Sequence, residues 1–495
     1  VAGLCAFRER ARPEDLTLED LDAASDFMEA EYYAGSLLSY LSCVFMNASF
    51  VQPNEGAAKR AAFIRQYVRA HRADPHPSVA GGRCVFSGAP ATSPLVRTHL
   101  PLFFGEGVLN FRPDGQASIP AAGPYVVALM FLPLASRRAE GRLLAVHADD
   151  PAFTLRFARR YLEDNQRLLA LALPVTRAPI HEGYDRELPM WDSQKRRYKL
   201  ADAKGPRSLV VHDLTTIAAA ALASDVRPRP TGVTAYLLSN SGQGPSLEIL
   251  HVPSGVVAFV ARAAGASTAR AWKAITARFR PVSEVEEASA GGPHTLRRLR
   301  PAKALIAGRP GWSRNPAFED LCEIFAAGFT DRARAAKWLR QYVLGRRGRE
   351  SERAAYGDGR ARSWALTELF LTEVVGMRDG RIKAIRAFAD KLATWIHAKG
   401  DKKLLSALTY DRLSDLQHAL RRVQRESVGG VLLFGLDEYR DVWLHDDGDA
   451  YLVRDLICIR VIERLYELGY FATHPEDALS PAEADSADEP VEALG

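Results

Sequence analysis

"GVTAYLLSNSGQGPSLEILHVPSGVVAFVARA", residues 232–263, decides the fold class of this 495-residue chain. Two runs rich in Val, Leu, Ile and Tyr flank the breaker "NSGQGPS". That pattern predicts a β-hairpin. With the run after Pro253, the stretch holds two or three strand-like runs. After Pro316 the texture changes. "AFEDLCEIFAAGF", "RSWALTELFLTEVVG", "DGRIKAIRAFADKLATWIHAKG", "DKKLLSALTYDRLSDLQHALRRVQRESV" and "AYLVRDLICIRVIERLYELGY" space their apolar residues at i, i+3, i+4. Several of these segments stop at Gly, as helices do. Strands in one half and helices in the other give an α+β chain: a mixed N-terminal region with short strands and helices, then a C-terminal α-helical bundle.

Toward the N-terminus the same period predicts helices within 14–31, 36–50 and 57–72, the last with Arg65, Arg69 and Arg72 on its polar side. Residues 78–150 are punctuated by Gly and Pro, and predict loops, short strands and a buried helix near 124–134. "RLLAVHADD" (142–150) reads as a strand entering a turn. "PAFTLRFARRYLEDNQRLLAL" (151–171) reads as a helix with Asp150 as its cap. "SLVVHDLTTIAAAALAS" (208–224) reads as strand, then helix. The organisation predicted is an N-terminal helical segment (1–77), a ribbon-like and mixed α/β region (78–175), a mixed α/β basic region (176–315), the helical bundle (316–472) and an acidic, disordered tail (473–495).

Net charge is +5, but it is unevenly spread. Residues 331–430 carry 22 Lys and Arg against 12 Asp and Glu, whereas 431–495 carry 4 against 16. A basic block beside an acidic end points to a polyanionic partner. The five cysteines are odd in number and far apart, which argues against a disulfide framework and for a cytoplasmic location. No run of 18 apolar residues is present to span a bilayer, and no export signal stands at the start, so no membrane partner is expected.

Motifs for chemistry are scarce. There is no G-x-x-x-x-G-K-[ST] phosphate loop and no G-x-S-x-G elbow. "HEGYD" (181–185) lacks the second histidine of a zinc protease. "HADD" (147–150) and "HDDGD" (445–449) gather carboxylates suited to a divalent ion, so a metal-dependent nuclease is one alternative. A free-standing helical RNA-binding scaffold is another.

"RCVFSGAP" (83–90) looks like half a zinc knuckle, with Ser87 where a second sulfur would complete Cys-x-x-Cys-Gly. Structural zinc needs four N or S ligands. Downstream, "IPAAGPYV" (119–126) holds no cysteine, so Cys84 reads as a small buried apolar residue and no metal or cofactor is expected.

Taken in order, "LSYLSCVFMNASF", "RCVFSGAP…HLPLFFGEGVLNFRPDGQASIPAAGPYVVALMFLPLA…GRLLAVHADD", "VTAYLLSNSGQGPSLEILHVPS", "NPAFEDLCEIFAAGF", "RIKAIRAFADKLATWI" and "LVRDLICIRVIERL" resemble the large subunit of type I-B CRISPR interference complexes (Cascade). Many members of that family carry Cys-x-x-Cys-Gly and a later cysteine pair. This chain departs from them at Ser87 and at "PAAGP", and so resembles a ribbon that has lost its metal.

The resemblance implies a non-enzymatic role. Such a subunit reads a protospacer-adjacent motif in duplex DNA, promotes strand opening, stabilises the R-loop and docks a downstream effector. The implied partners are guide CRISPR RNA, target double-stranded DNA with its displaced strand, the other Cascade subunits, and either a helicase–nuclease or a transposition factor. The C-terminal bundle resembles the family's small subunit. Base pairing does the sequence reading in such systems, so the protein needs dispersed backbone contacts and a few groove contacts. "GEGVLNFRPDGQ" (105–116) offers Asn110, Arg112 and Gln116 for motif reading. For the nucleic-acid backbone the candidates are Lys195, Arg196, Arg197 and Lys199; Arg297, Arg298 and Arg300; Arg334, Lys337, Arg340, Arg346 and Arg347; and Arg381, Lys383, Lys402, Lys403, Arg421 and Arg422. Trp338, Tyr342 and Trp364 lie among arginines, where they read as core more than as stacking platforms.

Overall fold

The computed structural model describes residues 1–34, 37–45, 48–51, 55–96, 98–102, 118–176, 191–192, 197–198, 203, 205–223, 231–241, 244–265, 267–276, 316–326, 338, 363–409, 412–427, 433–443 and 450–477. The fold is α+β, and the chain divides into two compact units. The first comprises Val1–Asp213, Thr231–Val252 and Arg280–Ser313; the second comprises Leu214–Pro230, Pro253–Phe279 and Arg314–Gly495.

In the first unit the 232–252 stretch forms the expected hairpin. Strands β7 (Val233–Ser241) and β8 (Gly244–Val252) pair antiparallel, with Ser241 opposite Gly244 across the turn. They extend a sheet begun by β3 (Arg137–Ala139) and β4 (Arg142–Ala148), in the order β3-β4-β7-β8. Alternation sets its two faces. Leu144, Leu237, Ala235, Val233 and Leu250 are buried on one face. Helix α6 (Pro151–Thr176) packs against β4, and its first turn is capped by Asp150 accepting the Ala152 N–H at 2.9 Å.

On the opposite face Leu143 and Leu238 join a core with α1 (Ala2–Phe7), α2 (Leu18–Ala34), α3 (Leu38–Val44) and α4 (Ala57–Val68). The arginines noted on 57–72 are consumed here. Arg69, which caps the C-terminus of α4, and Arg72 in the 3-10 turn after it bond Glu29 and Asp22 of α2 at 2.8 and 2.6 Å, so these cations neutralise the acidic face of α2.

Two expected strands are helices instead. Residues 208–223 fall within α7 (Pro206–Ala223), because Leu209, Val210, Leu214, Ile217, Ala218 and Ala221 bury one helical face. The third run of the opening stretch is α8 (Ser254–Ala263), burying Val256, Val257, Phe259, Val260 and Ala263. In both, β-branched composition lost to the 3.6-residue period of burial.

Below α4 a histidine is sealed in an aromatic stack. His99 is 5% exposed and lies 4.0 Å from the Tyr67 ring centroid. Its Nδ1 accepts the Val96 N–H at 3.0 Å, and Nε2 lies 3.0 Å from Thr98 Oγ1. Burial pushes its pKa down to about 4. The folded state therefore favours neutral imidazole. Its stabilising contribution is complete above the unfolded value and is lost as pH falls from about 6.5 toward 4, a total of about 3 kcal/mol. Urea unfolding at about pH 7 and about pH 4.5 should show this slope, and a His99→Gln chain should lose it. Equal slopes in the two chains would refute the assignment.

The second unit is helical among the described residues. Phe259 of α8 meets Trp272 of α9 (Ala269–Thr276), Phe325 of α10 (Pro316–Ala326) and Phe370 of α11 (Trp364–Phe370), with ring centroids 5.4–5.8 Å apart. Farther along come α12 (Asp379–Lys399), α13 (Lys402–Thr409), α14 (Leu413–Glu426), α15 (Leu436–Trp443), α16 (Ala450–Glu467) and α17 (Tyr470–Thr473). Every residue from Leu452 to Ile462 in α16 is buried, so the other helices surround it. Its three buried charges are matched internally. Arg454 pairs with Asp455 at 2.8 Å, and Arg460 bonds Asp390 at 2.7 Å as well as Glu463 and Glu467. Residues 475–477, placed by sequence in the tail, form a 3-10 turn in which Asp477 accepts from Tyr470 at 2.9 Å. Residues 478–495 lie outside the described residues. Among the described residues, no helix is long and apolar enough to cross a membrane.

Candidate nucleic-acid interface

Helix α14 shows most clearly which cations are structural and which are open. Leu416, Ala419, Leu420 and Val423 are buried on one face. On the opposite side Ser414, His418, Arg421 and Arg425 follow one another at i, i+4, i+7 and i+11, all exposed. Among the described residues Arg421 and Arg425 form no ion pair. Arg422 lies between the two faces and is engaged. Its Nη2 sits 2.8 Å from both carboxylate oxygens of Asp401, and its Nη1 bonds Glu426 at 3.0 Å. Asp401 also accepts the Trp395 indole N–H at 3.1 Å and the Leu404 N–H at 3.0 Å, so it ties α12, α13 and α14 together.

The other predicted backbone-contact residues divide in the same way. Lys383 on α12 and Lys403 on α13 are exposed, without an ion pair among the described residues. Lys402 binds Asp477 at 3.2 Å. Arg381 is half-buried on α12. Arg197 lies on β6 (Arg197–Tyr198), opposite Asp192 of β5 (Trp191–Asp192). Lys195, Arg196, Lys199, Arg297, Arg298, Arg300, Arg334, Lys337, Arg340, Arg346 and Arg347 lie outside the described residues. Trp338 and Trp364 are 3% and 2% exposed, which places both in the core and removes them as stacking platforms. Tyr342 lies outside the described residues.

Arg425 and His418 escaped the sequence reading. That reading took adjacent basic pairs such as Arg421 and Arg422, which point to different sides of a helix. Tracing the polar face of α14 at 3.6-residue intervals recovers the open stripe.

Asn110, Arg112 and Gln116 also lie outside the described residues, but the described residues on both sides of 103–117 are anchored. Leu102 takes a left-handed φ of 68°, a conformation costing roughly 1–2 kcal/mol for a residue with a Cβ. Its N–H donates to Asn240 Oδ1 at 2.6 Å, while Asn240 Nδ2 bonds the carbonyls of Val44 and Leu100. On the other side β2 (Ile119–Ala121) pairs with β1 (Ser93–Leu95).

Beside β2 stands the Cys84 turn. Cys84 N–H donates to Ala89 O at 2.7 Å, Gly88 N–H to Cys84 O at 2.8 Å, and Val85 N–H to Pro120 O at 3.1 Å. Gly88 has φ of 72°, the left-handed position that a tight knuckle reserves for glycine. Burial pushes the Cys84 thiol up. Hydrogen bonds from the Ser87 side chain and from the backbone of Ala122, Phe86 and Ser87 outweigh this, and the thiol lies below its ordinary value. The Phe86 ring stacks on Tyr125 at 5.8 Å. Thus the turn at Cys84 faces the start of α5 (Gly123–Met130), as two halves of a ribbon would.

One thiol among Ser87, Ala122 and Tyr125 does not fit zinc. Cys84 packs instead with Leu95, Leu100, Ala121, Ala122 and Val126 in a small apolar core. At the other acidic candidate, 147–150, the Asp150 carboxylate is occupied as the α6 cap. Among the described residues no group of three or more His, Cys, Asp or Glu is placed to hold a metal ion; 445–449 lies outside them. No family model, no curated protein and no solved structure matches the chain.

Proposed function

We propose that this chain is the large subunit of a type I-B CRISPR RNA-guided surveillance complex. In this reading it recognises a protospacer-adjacent motif, promotes strand opening, stabilises the R-loop and docks a helicase–nuclease or a transposition factor. It catalyses no reaction. The observation that carries the reading is the metal-free ribbon. Cys84 and its glycine turn pack against the start of α5, beside β2, which follows the 103–117 stretch of sequence that holds the motif-reading candidates. The open stripe of α14 supports it as well, since a subunit lining a displaced strand needs cations not already spent on carboxylates.

Affinity purification from the native cell tests the assignment. The chain should bring down a guide RNA and several companion subunits. A chain recovered alone, and indifferent to polynucleotide at low salt, would rule the assignment out.

The stripe makes its own prediction. Arg421→Gln with Arg425→Gln should weaken binding to single-stranded DNA by about tenfold or more at moderate salt, and should lower the salt slope by about 2. The unfolding midpoint should stay where it is, because neither side chain holds a carboxylate. Arg422→Gln should do the reverse, lowering stability through Asp401 while leaving the salt slope nearly intact. Equal loss of binding in the two variants would show that α14 contributes only structure.

A further inference from the structure

Two polar side chains where the chain enters β3 are buried without a hydrogen-bond partner among the described residues. Arg138 is 7% exposed, and its Nε and Nη1 have no hydrogen-bond partner among the described residues. Ser136 is fully buried, and its Oγ likewise has none. Ser136 is extended, with φ −129° and ψ 167°, and leads directly into β3. Residues i and i+2 of an extended chain share a face, so Ser136 and Arg138 project to the same side.

The sheet register identifies that side. Arg138 stands opposite Leu143, which stands opposite Leu238, and both leucines belong to the core shared with α3. Arg137 confirms the alternation by pointing the other way, to Asp164 and Asp213 at 3.2 and 3.5 Å. The nearby carboxylates are therefore spent on the opposite face. Glu140, beyond the end of the strand, lies 3.7 Å from Arg142 and accepts the Gly205 N–H. The β3 backbone is not what lacks partners. Ser136 O accepts from Asn165 Nδ2 at 2.8 Å, and Arg138 O accepts from Ala203 N–H at 2.9 Å.

A buried guanidinium with no counter-charge is strongly unfavourable, and a buried hydroxyl without a partner adds to the cost. A fork of N–H donors beside a hydroxyl is also the donor set that recognises a tetrahedral oxyanion. We propose that Arg138 and Ser136 form the floor of an oxyanion site on the α3-facing side of β3, and that the site takes a phosphate group. The phosphate is either a free anion or part of a polynucleotide backbone. This inference does not depend on the proposed function, because the site belongs to the first unit and the α14 stripe to the second.

Titration of the full chain with inorganic phosphate tests it, with chloride at matched ionic strength as the control. Calorimetry and the unfolding midpoint are the readouts. The wild-type midpoint should rise with phosphate and not with chloride. Arg138→Met should weaken phosphate binding by about tenfold or more, as loss of charge-assisted hydrogen bonds implies. Ser136→Ala should weaken it less, and it guards against the first variant's failing to fold.

A short oligonucleotide then identifies the source. If it displaces bound phosphate, the site belongs to a polynucleotide; if it does not, the ligand is a free anion. No phosphate-specific rise in the wild type, or an equal rise in both variants, overturns the proposal. So does a more stable Arg138→Met chain whose phosphate response is unchanged, since Arg138 would then be an uncompensated core charge.

Discussion

Substituting cysteine at Ser87, Ala122 and Tyr125 together should yield a chain that retains about one zinc ion through purification. Cys84 already takes hydrogen bonds from the backbone of Phe86 and Ser87, an arrangement suited to a thiolate at a metal knuckle. Ala122 precedes α5 and Tyr125 lies three residues later, so the pair shares the helix side that meets Cys84 and Phe86. Because zinc binds the folded state alone, the gain in stability should be on the order of several kcal/mol, and chelator should remove it. Metal analysis and unfolding with and without chelator are the measurements. A triple variant that holds no zinc would show that the two turns no longer share ribbon geometry.

Asp213→Ala is expected to cost about 3–5 kcal/mol, the range for removing one member of a buried ion pair. Asp213 is completely buried, with its oxygens 2.9 Å from Arg160 Nε and 3.5 Å from Arg137 Nη1. It thereby joins α7, α6 and β3. Burial pushes the carboxyl up, but the Arg137 charge, followed by His212 and Arg160, outweighs it and leaves the pKa at about 2. The sign follows from that depression. The contribution is complete above an unfolded value near 4 and disappears as pH falls through about 2, a span of about 2.5 kcal/mol. Chemical unfolding measures the first effect, and an acid titration of the variant beside the wild type measures the second. A variant with an unchanged midpoint would mean that Arg137 and Arg160 are satisfied without Asp213.

These two sites differ in how far a sequence reveals them. The pairing of Cys84 with the 119–126 stretch was legible because cysteine, glycine and spacing are local signals. The Asp213 cluster was not, because Arg137, Arg160 and Asp213 are far apart in the chain and ordinary in their surroundings. The same division runs through the candidate interface. Basic density in 331–430 was visible as composition. Which cations remain open was invisible, since Arg422 and Lys402 are engaged by carboxylates that only the folded bundle brings near.

By itself the sequence determined that this is an α+β chain, with a hairpin at 233–252, helices after Pro316 and a lone cysteine at 84 without the sulfur partners that zinc needs. Periodicity and turn chemistry are properties of neighbouring residues, and they survive without tertiary context. Only the tertiary structure decided that 208–223 and 254–263 are helical, that Arg69 and Arg72 at and beyond the end of α4 neutralise α2, and that Ser136 and Arg138 are buried without partners among the described residues. Each of those outcomes depends on what lies across the core, and burial and Coulomb energy depend on distance in space.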